Sequence, residues 1–181
     1  AHPLSHRYME TACAKRSLVV LAADIGAIDD LVNMVDMVGP HVAGLKTHVD
    51  ITDNFSMEEW GKVIDVAKKH DLMLFEDRKF ADIGRVTETQ MAGMYDIRSW
   101  ADLVTSHSVS GPDIVDGIAS AWDSVQRVGG VLLLAQMSSR GNLLDRSYTD
   151  RTMEIGTSSP HVIGYIGNGS NPNAVSYTHL R

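Results

Sequence analysis

The stretch Phe75-Glu76-Asp77-Arg78-Lys79-Phe80-Ala81-Asp82-Ile83-Gly84 sets one lysine between two carboxylates, directly after the apolar run Leu72-Met73-Leu74-Phe75. If that run is a strand, alternation puts Asp77 and Lys79 on one face, while Asp82 falls beyond the strand and aims elsewhere. Unit charges about 4 Å apart at an effective dielectric near 20 interact by roughly 4 kcal/mol, which holds an ammonium charged and fixes its direction. That is a place to do charge chemistry. Upstream, Lys46, His48 and Asp50 alternate along Leu45-Lys46-Thr47-His48-Val49-Asp50-Ile51. Taken alone, these residues have ordinary readings too. Asp77, Lys79 and Asp82 fit a strand-end ion-pair network, Lys46 an interior lysine neutralised by its neighbour, and Asp24 a turn or cap residue.

The elements that must position these residues recur along the chain. Apolar runs rich in Val, Ile and Leu lie at 18–25, 42–51, 72–75, 103–105, 131–135 and 162–166. Their starts are roughly 24 to 31 residues apart, the span of one βα unit. Between them the period turns helical: Leu31, Met34, Val35 and Val38 follow one stripe, and Trp60, Val63, Ile64 and Ala67 another. Ser56 with Glu59 reads as a capping box, and Pro112 suits the start of a helix carrying Ile114, Val115, Ile118, Trp122 and Val125. Val86, Met91, Met94 and Tyr95, or Met153 and Ile155, fit the helical period only loosely.

Six such units predict an α/β fold with a parallel sheet covered by helices. Nearly every predicted strand ends in a polar residue: Asp24; Lys46 with His48 and Asp50; Asp77 with Lys79; His107; Ser138. Groups contributed by the carboxyl ends of several strands are the pattern of a (βα)8 TIM barrel, whereas a doubly wound sheet gathers its site near one switch point. The expectation is an incomplete barrel with about six of eight units, spanning residues 1–167. Residues 168–181 form a divergent tail. Its Gly167-Asn168-Gly169-Ser170-Asn171-Pro172-Asn173 run is turn-forming, and its last residues read as disordered or non-native.

Composition narrows the function classes. The 181 residues, 44% apolar and 22% charged, suit one soluble globular domain. A formal charge of -7 argues against a nucleic-acid or anionic-membrane surface. Cys13 is the only cysteine, which rules out an internal disulfide and suits a reducing, cytoplasmic setting. No run approaches the roughly 20 apolar residues of a spanning helix. His41, His70 and His161 lack metal-ligand spacing, and no metal site is expected. The chain starts at Ala1 rather than at a methionine, as a piece of a longer product would.

Lys46-Thr47-His48-Val49-Asp50, followed by Phe75-Glu76-Asp77-Arg78-Lys79-Phe80-Ala81-Asp82-Ile83-Gly84, resembles the eukaryotic form of the orotidine 5′-monophosphate decarboxylase family. Leu21-Ala22-Ala23-Asp24, Ser99-Trp100-Ala101-Asp102-Leu103, Gly111-Pro112 and Ala135-Gln136-Met137-Ser138-Ser139 extend the resemblance in order from about His2 to Gly167. A monofunctional enzyme and the decarboxylase domain of a bifunctional uridine monophosphate synthase fit it equally. The resemblance implies decarboxylation of orotidine 5′-monophosphate to uridine 5′-monophosphate, in pyrimidine biosynthesis, without metal or organic cofactor. It further implies that Lys79 stabilises and protonates the C6 carbanion and that Asp77 orients it, with Lys46 completing an alternating line of charges. Asp24 and Lys46 would hold ribose hydroxyls, and Ser138 the pyrimidine edge. Asp82 would cross to the neighbouring subunit's site, making a homodimer with shared sites.

Some positions depart from the family pattern. Arg85-Val86-Thr87 replaces Asn-Thr-Val, so Val86 stands where a ribose-contacting threonine is usual and Thr87 is the candidate substitute. Thr105-Ser106-His107 replaces Asn-Ala-His, and Gln136 stands where glutamate is common; neither change is expected to fall on the lysine and aspartate set. The phosphate-gripping loops after strands seven and eight have no counterpart in the sequence. Two alternatives therefore accompany the reading: a magnesium-dependent sugar-phosphate decarboxylase of the same superfamily, sharing Asp-x-Lys-x-x-Asp, and a non-catalytic barrel fragment that only associates with intact subunits.

Overall fold

A computed structural model describes residues 2–168; the predicted tail from Gly169 onward lies outside the described residues. In chain order the elements are α1 (Pro3–Lys15), β1 (Val20–Ala22), α2 (Ile28–Val38), β2 (Gly44–Thr47), α3 (Met57–Lys69), β3 (Met73–Phe80), α4 (Gly84–Met91), α5 (Ile97–Trp100), β4 (Leu103–Ser106), α6 (Asp113–Asp123), β5 (Gly130–Leu134), α7 (Arg146–Ser158) and β6 (Val162–Ile166). The strands form one parallel sheet in the order β1-β2-β3-β4-β5-β6. Sequential order has no reversal, hence no switch point, so the sheet winds one way as a barrel wall does. β1 and β6 each have one unpaired edge among the described residues.

Alternation along the strands divides the core into two layers. Leu45, Leu74, Val104, Val131 and Leu133 face the helices, where they meet Leu31 and Val35 of α2, Trp60 and Val63 of α3, and Ile114, Ile118 and Trp122 of α6. Met73, Phe75, Leu103, Leu132 and Ile163 face the other way and pack with Leu4, Tyr8 and Ala12 of α1. That inner face borders an apolar groove of about 250 Å³ between Val20 on β1 and Ile166 on β6. It is the flank a closed barrel would fill with further strands.

Helix α1 carries no apolar period that the sequence reading picked up, because Ser5 and Thr11 share its buried face. Polar contacts dock it instead. Arg7 pairs with Asp102 at 3.2 Å, Tyr8 donates its hydroxyl proton to the Leu18 carbonyl at 2.6 Å, and the Lys15 ammonium donates to the carbonyls of Gly39, Val42 and His70. Ser56 caps α3 by accepting the Glu59 N–H at 3.1 Å, but the Glu59 carboxylate turns to Lys62, so only half of the expected capping box forms. Met34, predicted inside, is 38% exposed, and Ile28 takes its place in the α2 stripe.

The loosely patterned helices both form. On α7 the buried residues are Thr149, Thr152 and Gly156. Thr149 and Thr152 bond to the Ala135 carbonyl and to Ser108, and a side chain at Gly156 would collide with the Tyr165 ring. Helix α4 crosses α6 at glycines: a Cβ on Gly117 would overlap Gly84, and one on Gly84 would overlap the Asp113 carbonyl. This approach seats the start of α4, directly after Asp82 and Ile83, against the rest of the fold.

Candidate active site

The expected residues converge where β1, β2, β3 and β4 end. Asp77 is the hub. Its Oδ2 lies 2.8 Å from Lys79 Nζ, 3.0 Å from Lys46 Nζ and 3.4 Å from His48 Nε2, and its Oδ1 accepts the Thr105 hydroxyl at 2.9 Å. Asp24 joins at the far end, 3.8 Å from His48 Nε2. Lys46 and Asp77 continue the inner faces of β2 and β3, and each alternates with an outward-facing residue, Thr47 and Glu76. Asp50, grouped with Lys46 by alternation, turns away instead. The chain leaves β2 for a 3-10 turn at Val49–Ile51, and Asp50 pairs with Arg78 at 3.1 Å.

The β3 strand is irregular where it carries this chemistry. Glu76 pairs with Val104 and Phe80 with Ser106, so a four-residue step on β3 faces a two-residue step on β4. The excess is even, so beyond the irregularity Phe80 returns to the helix-facing side. Lys79 has φ of 51°, in the left-handed region that a side chain makes costly, by about 1–3 kcal/mol.

Burial pushes the Asp77 carboxyl up, but its hydrogen bonds with Lys79, Lys46 and Thr105 outweigh that and hold it below the ordinary carboxylate range. Glu76 goes the other way. It is fully buried and its pKa rises to about 8, because desolvation exceeds the help of Thr47 Oγ1 at 2.7 Å and the Val49 N–H at 3.0 Å. Two adjacent carboxyls on opposite faces thus carry different charges near neutrality. Burial, then the Lys79 charge, lowers His107, which stays neutral there.

Asp82 is not on the line of charges. It is exposed, its Oδ1 accepts the Ile83 N–H at 2.7 Å, and among the described residues it makes no ion pair with Lys79. It shares with Lys79, Ile83, Gln90 and Ser110 an open concavity of about 500 Å³. Ser138 stands exposed on the loop after β5. Thr87, the expected ribose contact, is fully buried, and its hydroxyl donates to the Asp82 carbonyl at 3.2 Å; in this conformation it shapes the Asp82 turn and offers nothing to a ligand. Val86 beside it is 38% exposed. Among the described residues no three His, Cys, Asp or Glu side chains converge as a metal site.

Two residues of the site were not singled out from sequence. Thr105 was expected to stand apart from the lysine and aspartate set, yet it bonds both Asp77 and the Lys79 backbone. Glu76 lay inside the motif without a role. A hydroxyl and a carboxyl at strand positions flanked by Val104 and Phe75 were the available signals, since buried polar groups require partners.

Known proteins resemble the chain in sequence and in fold. Orotidine 5′-phosphate decarboxylases of the yeasts Kodamaea ohmeri, Torulaspora delbrueckii and Maudiozyma exigua are 36%, 38% and 39% identical to the chain over 91–92% of its length. The chain spans less than two thirds of these relatives, 63–64% of each. Among solved structures, the orotidine 5′-monophosphate decarboxylase of Methanocaldococcus jannaschii superposes with a TM-score of 0.71 at 20% identity, covering 88% of this chain and 74% of that one. A second structure of that protein, complexed with the inhibitor BMP, gives 0.68. These likenesses show the fold, an incomplete TIM barrel. The family model for orotidine 5′-phosphate decarboxylase / HUMPS matches residues 17–177, and the chain belongs to that family.

Proposed function

We propose that the protein from which this chain comes decarboxylates orotidine 5′-monophosphate to uridine 5′-monophosphate. The observation that carries this reading is the single carboxylate of Asp77 held between two ammonium groups, at 2.8 and 3.0 Å, on the inner face at the strand ends. The carbanion left at C6 when CO2 departs has no adjacent carbonyl into which to delocalise. The electron pair stays at C6, and a preorganised cation must meet it. Lys79 is that cation. It then transfers a proton to C6, so the products are the nucleotide and CO2. Asp77 orients Lys79 and faces the departing carboxylate. Asp24 and Lys46 suit ribose hydroxyls, and Ser138 a pyrimidine edge. No metal or organic cofactor is required for these steps.

Asp82 serves a neighbouring copy in this reading. Its exposure, on a concavity that also holds the exposed apolar side chain of Ile83, suits a homodimer with shared sites. The reaction belongs to pyrimidine nucleotide synthesis, and a cytoplasmic setting suits the single exposed Cys13.

In the full-length protein, Lys79→Ala is expected to abolish loss of the orotidylate absorbance while the fold is retained; near-normal turnover would sink the mechanism. Mixing Lys79→Ala with Asp82→Ala subunits is expected to restore activity, because one site of each mixed dimer regains both residues. No recovery, with mixed dimers demonstrated, would refute the shared site.

A second reading starts from the edges of β1 and β6, each unpaired among the described residues, and from the apolar groove between them. The chain by itself would then be a non-catalytic barrel fragment that associates with intact subunits. Turnover by the isolated chain would refute this reading.

A further inference from the structure

The irregularity in β3 raises a question of backbone accounting. Between the pairs Glu76–Val104 and Phe80–Ser106, three residues of β3 stand opposite Thr105 alone. The regular ladder cannot satisfy all their N–H and C=O groups, and a buried N–H left unpaired is costly. Thr105 fills one of these gaps with its side chain. Its Oγ1 accepts the Lys79 N–H at 2.9 Å and donates to Asp77 Oδ1 at 2.9 Å. The Thr105 side chain is fully buried on the inner face, while its two partners are partly exposed. One hydroxyl therefore ties the left-handed backbone of Lys79 to the carboxylate that holds the Lys79 ammonium.

We propose that Thr105 is a positioning residue for the reaction, a keystone of the β3 bulge that fixes the Lys79 main chain and the Asp77 carboxylate relative to one another. The proposal deepens the decarboxylase reading and rests on it for its kinetic consequences. Its structural content is separate. A valine at this position keeps the shape and branching but neither accepts nor donates. The Lys79 N–H and Asp77 Oδ1 then lose a partner together, and the ammonium is freed from its set direction. Because the interaction acts on transition-state geometry rather than on substrate binding, kcat carries the loss and KM moves little.

The test compares Thr105→Val, Thr105→Ser and Thr105→Cys in the full-length protein, with orotidine 5′-monophosphate as substrate. Serine keeps the donor and acceptor, and near-parental kcat is expected. Valine is expected to lower kcat by about tenfold or more with KM changed less than about threefold. Cysteine, a weak donor and acceptor, falls between, and it replaces valine if the valine variant does not melt cooperatively. Removing the Thr105 bond also lets the Asp77 carboxyl rise toward its ordinary value. Lys46 and His48 from the β2 side and Lys79 on its own strand still face this group, with Asp24 behind His48 and His107 near Lys79. The acid limb of kcat/KM is therefore expected to move to higher pH.

Amide hydrogen exchange supplies a readout independent of activity: the Lys79 N–H should lose protection in the valine or cysteine variant while the remaining β3 amides keep theirs. A full-length parent that does not turn over the nucleotide defeats the decarboxylase reading, and the exchange result still decides the keystone. A valine variant with parental kcat, pH profile and Lys79 protection would overturn the proposal. So would a serine variant as impaired as valine, which would assign the effect to packing of the methyl group.

Discussion

Glu76→Gln is the substitution whose effect depends most sharply on pH. The Glu76 carboxyl is fully buried, accepts Thr47 Oγ1 at 2.7 Å and the Val49 N–H at 3.0 Å, and has its pKa raised from 4.5 to about 8, chiefly by desolvation. A raised carboxyl pKa means that the folded protein binds a proton that the unfolded chain has released. Stability from this group is complete below pH 4.5 and is lost as the pH climbs toward 8. With those two values, raising the pH from 5 to 8 removes about 3 kcal/mol through this one group, at 1.36 kcal/mol per pH unit. Glutamine has nearly the same shape, accepts the Val49 N–H through its carbonyl and donates to Thr47 through its amide, but carries no titrating proton. Depressed carboxyls such as Asp77 and Asp36 act in the opposite direction, at lower pH, and are common to both proteins. The difference between variant and parent therefore isolates Glu76. Urea melts at pH 5, 6, 7 and 8 should show the variant gaining on the parent with each step, by about 3 kcal/mol in total. A difference that stays flat with pH, or that shrinks toward pH 8, would refute the assignment of a proton to buried Glu76.

Gly117→Ala forces a Cβ into Gly84 at the α4–α6 crossing and is expected to destabilise by about 1–3 kcal/mol, read as a fall in melting temperature. Gly61→Ala, in α3 with nothing within 4 Å of its Cβ, is the control and should stabilise by about 0.5–1 kcal/mol. Asp102→Ala leaves the Leu74 N–H, Arg7 and Arg127 without their shared partner. A loss of about 2–4 kcal/mol by urea melt is expected, below that of a fully buried pair because the Arg7 side chain is 39% exposed. The isolated chain, in which β1 and β6 each leave one edge unpaired among the described residues, is expected to self-associate in sedimentation experiments; a monomer with a sharp, cooperative melt would contradict this.

The frame was readable because periodicity encodes it. Each of the six apolar runs overlaps a strand, though β3 runs on to Phe80, well past the apolar run at 72–75, and the α3 and α6 stripes are buried at Trp60, Val63, Ala67, Ile114, Ile118 and Trp122. Where a buried helix face is polar or small, the signal fades. Thr149, Thr152 and Gly156 hide α7 because its packing runs through hydroxyl bonds and ring contact, and Ser5 and Thr11 do the same for α1. The motif identified which charges could meet, but alternation extended too far placed Asp50 beside Lys46. A 3-10 turn has a different period, and it sends Asp50 to Arg78.

The same logic explains why Thr105 and Glu76 escaped notice although they touch the charged line or the segment bearing it. Periodic patterns specify where side chains point when the ladder is regular, and here the ladder is interrupted between Glu76 and Phe80. A bulge creates unpaired backbone groups, and one of them, the Lys79 N–H, recruits Thr105, a side chain that no pattern marks as functional. Glu76 holds Val49 and Thr47 from the helix side, while Thr105 holds Lys79 and Asp77 from the inner side. Lys46 and Lys79 are thereby anchored through neighbours on opposite faces of one sheet. A rigid charge arrangement stabilises a carbanion only if it does not relax when the substrate's carboxylate leaves. For the reaction proposed above, Glu76 at the start of the bulge and Thr105 opposite it are the hydrogen-bonded groups that would meet that condition, which a lysine at an ordinary strand end would not.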